Sequence, residues 1–327
     1  MKYLNFEEKY LDGIYELYNE LTKEEKFFKE LSKEEFVGKL TSSSDFKEEG
    51  TFVALKGEKV VGFISGLTRK IDETNPKSSG LIHSLIVKKE YRRQGIASNL
   101  LKMLEEYFKK VGKTSSRFVF LSNINWPWYA KPELDYLHPG APAVRINSPM
   151  YLFLYKHDYV VNSIHEGFCL DLVGYKISEK VNKQIEENKT KNLTVEVYNP
   201  EIHFGIDEFC QEIDNPGFAN SIKYNLSLAN PKPFLVASDA GKVVGWTGAM
   251  YTESTGRGHL DGICVHPEYR KNGLGKVLFA KLCEYLAADG SKYMTFFTGL
   301  DNPARYIYLS NGFKVVQSFA DMKKEFK

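Results

Sequence analysis

Residues 87–112 of this 327-residue chain recur, without a gap, as residues 265–290. The matched positions include Glu90 with Glu268, Tyr91 with Tyr269, Arg92 with Arg270, Gly95 with Gly273, Leu104 with Leu282, Tyr107 with Tyr285 and Gly112 with Gly290. Upstream, Lys59-Val60-Val61-Gly62 recurs as Lys242-Val243-Val244-Gly245, at an offset of 183 rather than 178 residues. Whatever one copy folds into, the other should fold into as well. At roughly 150 residues per domain, the chain has room for two such units.

Within each copy the hydrophobic pattern alternates between two periods. Short β-rich runs (51–55 and 60–64; 234–237 and 243–247) flank a turn carrying Gly57 or Gly241, as in a hairpin. A further apolar strand ends at Val87 or Val265. Beyond a glycine-containing loop, Ile96, Leu100, Met103, Leu104 and Tyr107 recur at helical spacing in the first copy. Leu274, Leu278, Leu282 and Tyr285 do so in the second. Strands over 118–121 and 293–297 follow, then a helix and a closing strand pair. This order predicts the α/β class, with helices laid on a mixed (α+β) sheet in each copy. The polar stretch 178–191 reads as a linker or an exposed helix, so the expected domains are 1–177 and 192–327.

Composition narrows the function classes. Hydrophobic residues make up 43% and charged residues 26%, as in an ordinary globular protein. A net charge of +2, with acids and bases interleaved, supplies no field to draw in nucleic acid or an anionic membrane. No apolar run reaches bilayer-spanning length, and the first residues lack the apolar core of a secretion signal. Cys169, Cys210, Cys264 and Cys283 lie far apart without metal-ligand spacing. That predicts reduced thiols, a cytoplasmic setting and no metal. A monomer or homodimer is expected.

The informative segment is Arg270-Lys271-Asn272-Gly273-Leu274-Gly275-Lys276, between a strand and the start of a helix. The first backbone N–H groups of a helix have no partner within it, and with the helix dipole they attract a phosphate. Gly273 and Gly275 let the backbone approach the anion closely, and Arg270, Lys271 and Lys276 add positive charge. The segment lacks the Gly-Lys-Ser/Thr ending of a P-loop, and Leu278 stands where a dinucleotide fingerprint has its third glycine. An ordinary turn with incidental glycines is the bland alternative. The first copy argues against it, carrying Arg92-Arg93-Gln94-Gly95-Ile96-Ala97, again after Glu-Tyr.

At these residues the chain resembles the GCN5-related N-acetyltransferase (GNAT) superfamily. The pyrophosphate loop of that family reads Arg or Gln, two variable residues, Gly, one variable residue, then Gly or Ala. The run Asp301-Asn302-Pro303-Ala304-Arg305-Tyr306-Ile307-Tyr308-Leu309-Ser310-Asn311-Gly312-Phe313 resembles the family's C-terminal helix and strand entry. The two-copy layout is similar to that of the mycothiol synthases. The resemblance implies two tandem acyl-CoA N-acyltransferase domains, acetyl-CoA as co-substrate and a small-molecule amine as acceptor. It further implies that the backbone of Ile263, Cys264 and Val265 pairs with the pantetheine amides. The loop Arg270, Lys271, Asn272, Gly273, Leu274, Gly275 and Lys276 would hold the pyrophosphate, and Asn302 would contact the CoA arm. In the first copy the corresponding residues are Val87, Arg92, Arg93, Gln94, Gly95, Ile96 and Ala97.

Acyl transfer to an amine requires a deprotonated amine, a donor for the oxyanion and a stabilised thiolate. Tyr308 occupies the position where the family commonly places its general acid. His259 stands six residues before Val265, where the mycothiol synthases look to carry a base glutamate. Strand alternation puts His259 and Asp261 on one face. A histidine titrating near ~6.5 could take the ammonium proton, and Asp261 could orient it or act itself. The first copy departs from this pattern: Leu81 replaces His259, Leu154 replaces Tyr308, and an insertion over 123–147 carries Trp126 and Trp128. The expected outcome is a catalytically reduced N-terminal copy beside an active C-terminal one. A non-catalytic acyl-CoA-binding regulatory module is the alternative. A transferase with an RNA-borne donor is a third reading, and it calls for a basic stripe that the dispersed lysines do not form.

Overall fold

The computed structural model describes residues 1–68, 78–118 and 126–327. The chain forms two units, residues 1–166 with 317–327 and residues 167–316.

The first unit begins with β1 (Lys2–Asn5), α1 (Leu11–Glu25) and α2 (Lys33–Thr41), followed by β2 (Phe46–Lys56), β3 (Lys59–Leu67) and β4 (Gly80–Val87). It continues with α3 (Ile96–Lys110), β5 (Ser115–Phe118), β6 (Trp128–Lys131), β7 (Tyr136–His138), β8 (Val144–Arg145), α4 (Pro149–Lys156) and the first part of β9 (Val160–Asp171). Strands β1 to β4 pair antiparallel in chain order. β5 joins β4 in parallel, with Gly80, Leu81 and Ile82 opposite Ser116, Arg117 and Phe118 among the described residues. α1 forms because Leu11, Ile14, Leu17 and Tyr18 fall on one face, and all four are buried. Ser32 and Glu35 close a capping box on α2. α3 buries Ile96, Leu100, Leu101, Leu104 and Phe108. A Cβ on Gly80 would come within 2.4 Å of the Phe108 ring, so the missing side chain is what lets α3 lie this close to the sheet.

The second unit takes the rest of β9, then α5 (Glu179–Lys189), β10 (Leu193–Val197), α6 (Ile206–Glu212), α7 (Pro216–Ser227), β11 (Leu235–Asp239) and β12 (Lys242–Gly248). It ends with β13 (Gly262–Val265), α8 (Leu274–Ala288), β14 (Tyr293–Gly299), α9 (Ala304–Ser310) and the start of β15 (Lys314–Glu325). β10 to β13 form one antiparallel sheet with β13 at its edge, whereas β14 lies beside β9. The splay expected next to Val265 is therefore present. α8 carries a wide apolar stripe that includes Leu274, Leu278, Phe279, Leu282 and Leu286. All four cysteines are free thiols, and no described helix is long and apolar enough to cross a membrane.

Of the two readings of residues 178–191, the exposed helix holds and the linker does not: Ser178 caps α5, most of which is exposed, and Val181 is buried in the core of the second unit. Of the strand expected over 118–121, Phe118 lies in β5, which begins at Ser115; residues 119–121, like 123–125 of the insertion, lie outside the described residues. The bounds 1–177 and 192–327 also give way, because β15 crosses between units. From Gln317 onward it belongs to the first unit, with Lys323 opposite Arg117 and Phe319 opposite Arg145. The physical reason is burial: Phe319, Ala320, Asp321 and Met322 are fully enclosed. The Asp321 carboxylate accepts from Arg117 Nε at 2.6 Å and from Asn162 Nδ2 at 2.8 Å.

Candidate active site

In the second unit, the loop between β13 and α8 has a particular backbone. Lys271 (φ 69°) and Gly273 (φ 72°) are both left-handed. The first copy repeats this at Arg93 (φ 63°) and Gly95 (φ 78°), so the shared sequence encodes a shared shape. Alternating right- and left-handed residues turn successive N–H groups inward, and such a nest binds anions. Gly273 also caps α8, whose first N–H groups lack a side-chain partner from the cap. A Cβ at Gly273 would meet the Gln184 side chain at 2.7 Å. Arg270 donates from Nε to the Val265 carbonyl at 3.3 Å and stays exposed, its charge facing outward. Asn272 donates to the Tyr269 carbonyl at 3.2 Å, which braces the loop.

The loop forms one end of a cleft of about 840 Å³. One wall is β13 and the residues just before it; the other is Phe296–Thr298 and the start of α9. Ile263, Cys264 and Val265 line the cleft on an edge strand that no further strand covers among the described residues, leaving their outer backbone groups for a ligand. Burial pushes the Cys264 thiol up to about 12, so it stays protonated and unreactive. Asn302 lines the same space, but its amide is engaged within the wall: Nδ2 donates to Thr298 Oγ1 and Oδ1 accepts from Ala304 N–H, both at 2.9 Å.

Tyr308 reaches the cleft from α9. Its ring is packed by Phe296 (centroids 4.4 Å apart), Phe279 (4.8 Å) and Phe168 (5.7 Å). This burial raises its hydroxyl to about 12. The hydroxyl is therefore a donor throughout the neutral range.

At the opposite end from the basic loop, Asp261 lines the cleft and His259 stands behind it. Both lie ahead of β13 rather than in it, yet they meet as strand alternation predicts: His259 Nε2 is 2.7 Å from Asp261 Oδ1. The other ring nitrogen is 3.0 Å from Glu253 Oε1. Glu253 in turn accepts from Arg257 Nε at 2.9 Å, and Ala249 N–H donates to Asp261 Oδ2 at 3.0 Å. Burial works against a charged His259 ring, but the hydrogen bonds to Asp261 and Glu253 outweigh it and raise its pKa. Burial likewise opposes both carboxylates, and the bonds from His259 and their other donors win, lowering Asp261 and taking Glu253 to about 2. Both ring nitrogens of His259 are thus engaged by carboxylates, and Asp261 is the carboxylate that faces the cleft. Glu253 and Arg257 were not among the residues expected from sequence. They arrive by a turn in which Glu253 N–H bonds the Arg257 carbonyl at 2.8 Å, and such a turn has no period to read.

The first copy brings together less. Leu154, at the Tyr308 position, is fully buried, and Tyr155 beside it points to solvent. Leu81, opposite His259 in the repeat, is a core residue, whereas His83 stands where Asp261 does. Val87, Gln94, Ile96 and Ala97 hold the same places around the loop as their counterparts, with Ile96 buried at the start of α3.

A family model described as "Acetyltransferase (GNAT) family" matches residues 11–131 and 201–313. No curated protein matches the chain. Among solved structures, the GCN5-related glucosamine N-acetyltransferase region of a fungal multi-domain GH3 β-N-acetylglucosaminidase is similar in fold, with a TM-score of 0.70 at 16% identity. That likeness covers 99% of this chain and 38% of the fungal one, so this chain spans well under half of that protein. A GCN5-related N-acetyltransferase from Sphaerobacter thermophilus gives a TM-score of 0.63 at 14% identity, covering 99% and 95%. A tandem GNAT protein from the clavulanic acid biosynthesis pathway gives 0.56 at 14%, covering 99% and 98%. At such identities the likeness is one of fold.

Proposed function

The chain belongs to the GNAT acetyltransferase family, and on that premise we propose that its second unit transfers the acetyl group of acetyl-CoA to the primary amine of a small acceptor. The observation that carries this reading is a single cleft with three separated chemistries. A basic, N–H-lined loop lies at one end, Tyr308 in the wall, and Asp261 at the other end.

Each group has a task that follows from its surroundings. The nest at Lys271–Gly273 with Arg270 and Lys276 suits a diphosphate, and the open edge of β13 suits the pantetheine amides. Asp261, charged at neutral pH, attracts an ammonium ion and orients it toward the thioester. The ammonium ion loses one proton to solvent through water bound at Asp261, and its nitrogen then attacks the carbonyl carbon. As the tetrahedral intermediate collapses, the C–S bond breaks and the nitrogen sheds a second proton. A phenol near 12 does not hand its proton to a thiol that titrates near ~8.5. Tyr308 instead donates a hydrogen bond to the sulfur as charge develops on it. The products are the acetamide, CoA as thiol or thiolate, and the released protons.

The test is acetyl-CoA-dependent thiol release across a panel of amines, including amino sugars because the fungal relative's region is described as a glucosamine N-acetyltransferase. At least one amine should give saturable turnover. Arg270→Gln should weaken acetyl-CoA binding about 5- to 10-fold, since one exposed charged hydrogen bond is lost. A full-length protein that binds acetyl-CoA but acetylates nothing in the panel would support the regulatory-module reading instead. Affinity unchanged in Arg270→Gln would remove the loop from the site.

A further inference from the structure

The first unit keeps the position of the cleft and changes its contents. At the offset of 178 residues that joins Val87 to Val265, His83 to Ile86 stand where Asp261 to Cys264 stand, and Phe118 where Phe296 stands. At the offset of 154 that joins Leu154 to Tyr308, Ser148-Pro149-Met150 stand where Asn302-Pro303-Ala304 stand. These residues line a cavity of about 150 Å³, and a separate space of about 550 Å³ lies beside Val87 and Arg92; the second unit has one cleft of about 840 Å³ across the corresponding positions. Aromatic side chains line the smaller cavity. Tyr18, Phe27, Phe28 and Trp126 all face this cavity. Trp126 lies flat on Phe36 (5.1 Å, 6° between planes) and donates its Nε1–H to Ser84 Oγ at 3.0 Å. Ser84 Oγ is also 2.9 Å from His83 Nδ1. Arg145 pairs with Glu25 and places its guanidinium 4.2 Å from the centre of the Phe27 ring. Ser148 Oγ accepts from Tyr151 N–H. The polar atoms of the wall serve one another and their charges cancel, so what faces inward is aromatic surface.

The phosphate end has changed as well. Arg92 keeps the bond from Nε to the Val87 carbonyl that Arg270 makes to Val265. Both of its terminal nitrogens, however, go to the Glu24 carboxylate, at 3.0 and 2.9 Å. Lys88 pairs with Glu20 at 2.8 Å and Lys89 with Glu24 at 3.5 Å. α1 thus sets two carboxylates beside the loop, and they occupy Lys88, Lys89 and Arg92, which a diphosphate would have to win away from them.

We propose that the first unit's cavity is a binding site for a small, uncharged aromatic molecule that carries no phosphate, in place of a second acyl-CoA site. An apolar cavity of this volume takes a benzene-sized guest. Flat rings stack offset or edge-on against Trp126 and Phe27 without demanding a new polar partner.

Indole is the probe, added to the full-length protein and followed by calorimetry and ligand-observed NMR. One saturable site is expected, with a Kd on the order of 0.1–1 mM, the range open to so few atoms. Ala143→Phe, which fills the cavity from its wall, should weaken indole at least about tenfold while leaving CoA affinity unchanged. Ala141→Leu fills it from a neighbouring point if the larger ring disturbs folding. CoA itself should titrate to one site per chain. The proposal falls if indole does not saturate, if neither filling variant weakens it, or if two CoA molecules bind and Arg92→Gln removes one.

Discussion

Replacing Tyr308 by Phe isolates one hydroxyl. The ring that remains still fits among Phe168, Phe279 and Phe296, so folding stability should be nearly unchanged. What disappears is a hydrogen bond to sulfur as it becomes a thiolate. Bonds to charged partners contribute about 1.5–3 kcal/mol, which corresponds to about 10- to 150-fold in kcat. The loop is untouched, so the dissociation constant of acetyl-CoA should stay within about twofold, well under a kcal/mol of binding energy. The assay is thiol release at saturating acetyl-CoA with the best amine of the panel, run beside a direct acetyl-CoA titration. Burial has placed the phenol near 12, so Tyr308 should add no alkaline limb to the pH profile in the ordinary range. A variant with wild-type kcat would refute this role. So would a loss confined to KM, or an alkaline limb near ~10, where a free phenol titrates, that vanishes with the hydroxyl.

Other outcomes follow from the same geometry. Asp261→Asn should raise the KM for the amine and lower kcat, while His259→Gln lowers kcat less and leaves acetyl-CoA affinity alone; equal effects on both parameters in the two variants would merge their roles. His259 has a raised pKa in the folded protein, so its contribution to stability is complete below ~6.5 and is lost as pH rises through the folded value. The Tm gap between wild type and His259→Gln should therefore shrink toward alkaline pH, and a gap that widens there contradicts the pairing. Glu253 has the opposite sign: its contribution is present above ~4.3 and fades as pH falls toward about 2. Deleting residues 317–327 removes the burial of Phe319 and Met322, about 1.5–3 kcal/mol each, and the Asp321 carboxylate that pairs with Arg117. That is a large part of a typical domain's ~5–15 kcal/mol, so hydrogen exchange should show the first unit opening while β10 to β13 stay protected; unchanged protection at β5 would refute it.

What could be read in the sequence was what is local. The helical stripe of Ile96, Leu100 and Leu104, the hairpin at Gly57 and the loop shared by Arg92 and Arg270 each depend on neighbours a few residues away, and each is present. The pairing of His259 with Asp261 was legible for the same reason, though not their place ahead of β13. α5 was harder, because only one apolar residue, Val181, is deeply buried, beside the polar Asn188, and that decides that a polar segment packs rather than swings free. The destination of β15 was not legible at all. Its alternation fits the edge of either unit, and only the partners Arg117 and Asn162, far off in the chain, select one. Glu253 and His83 escaped for a related reason: their meaning comes from the residues they meet, not from their spacing.

The path of β15 has a consequence in time. A ribosome releases the N-terminal residues first, and domains usually fold in that order. Here the first unit cannot close its sheet until the 150 residues from 167 to 316 and the final strand have been made. At about 5–20 residues per second, that interval is about 8–30 s. Throughout it, the edge of β5 waits unpaired, a template for any passing strand. Residues 317–327 thus finish a sheet begun at residue 2, and losing them would damage a part of the chain made long before them.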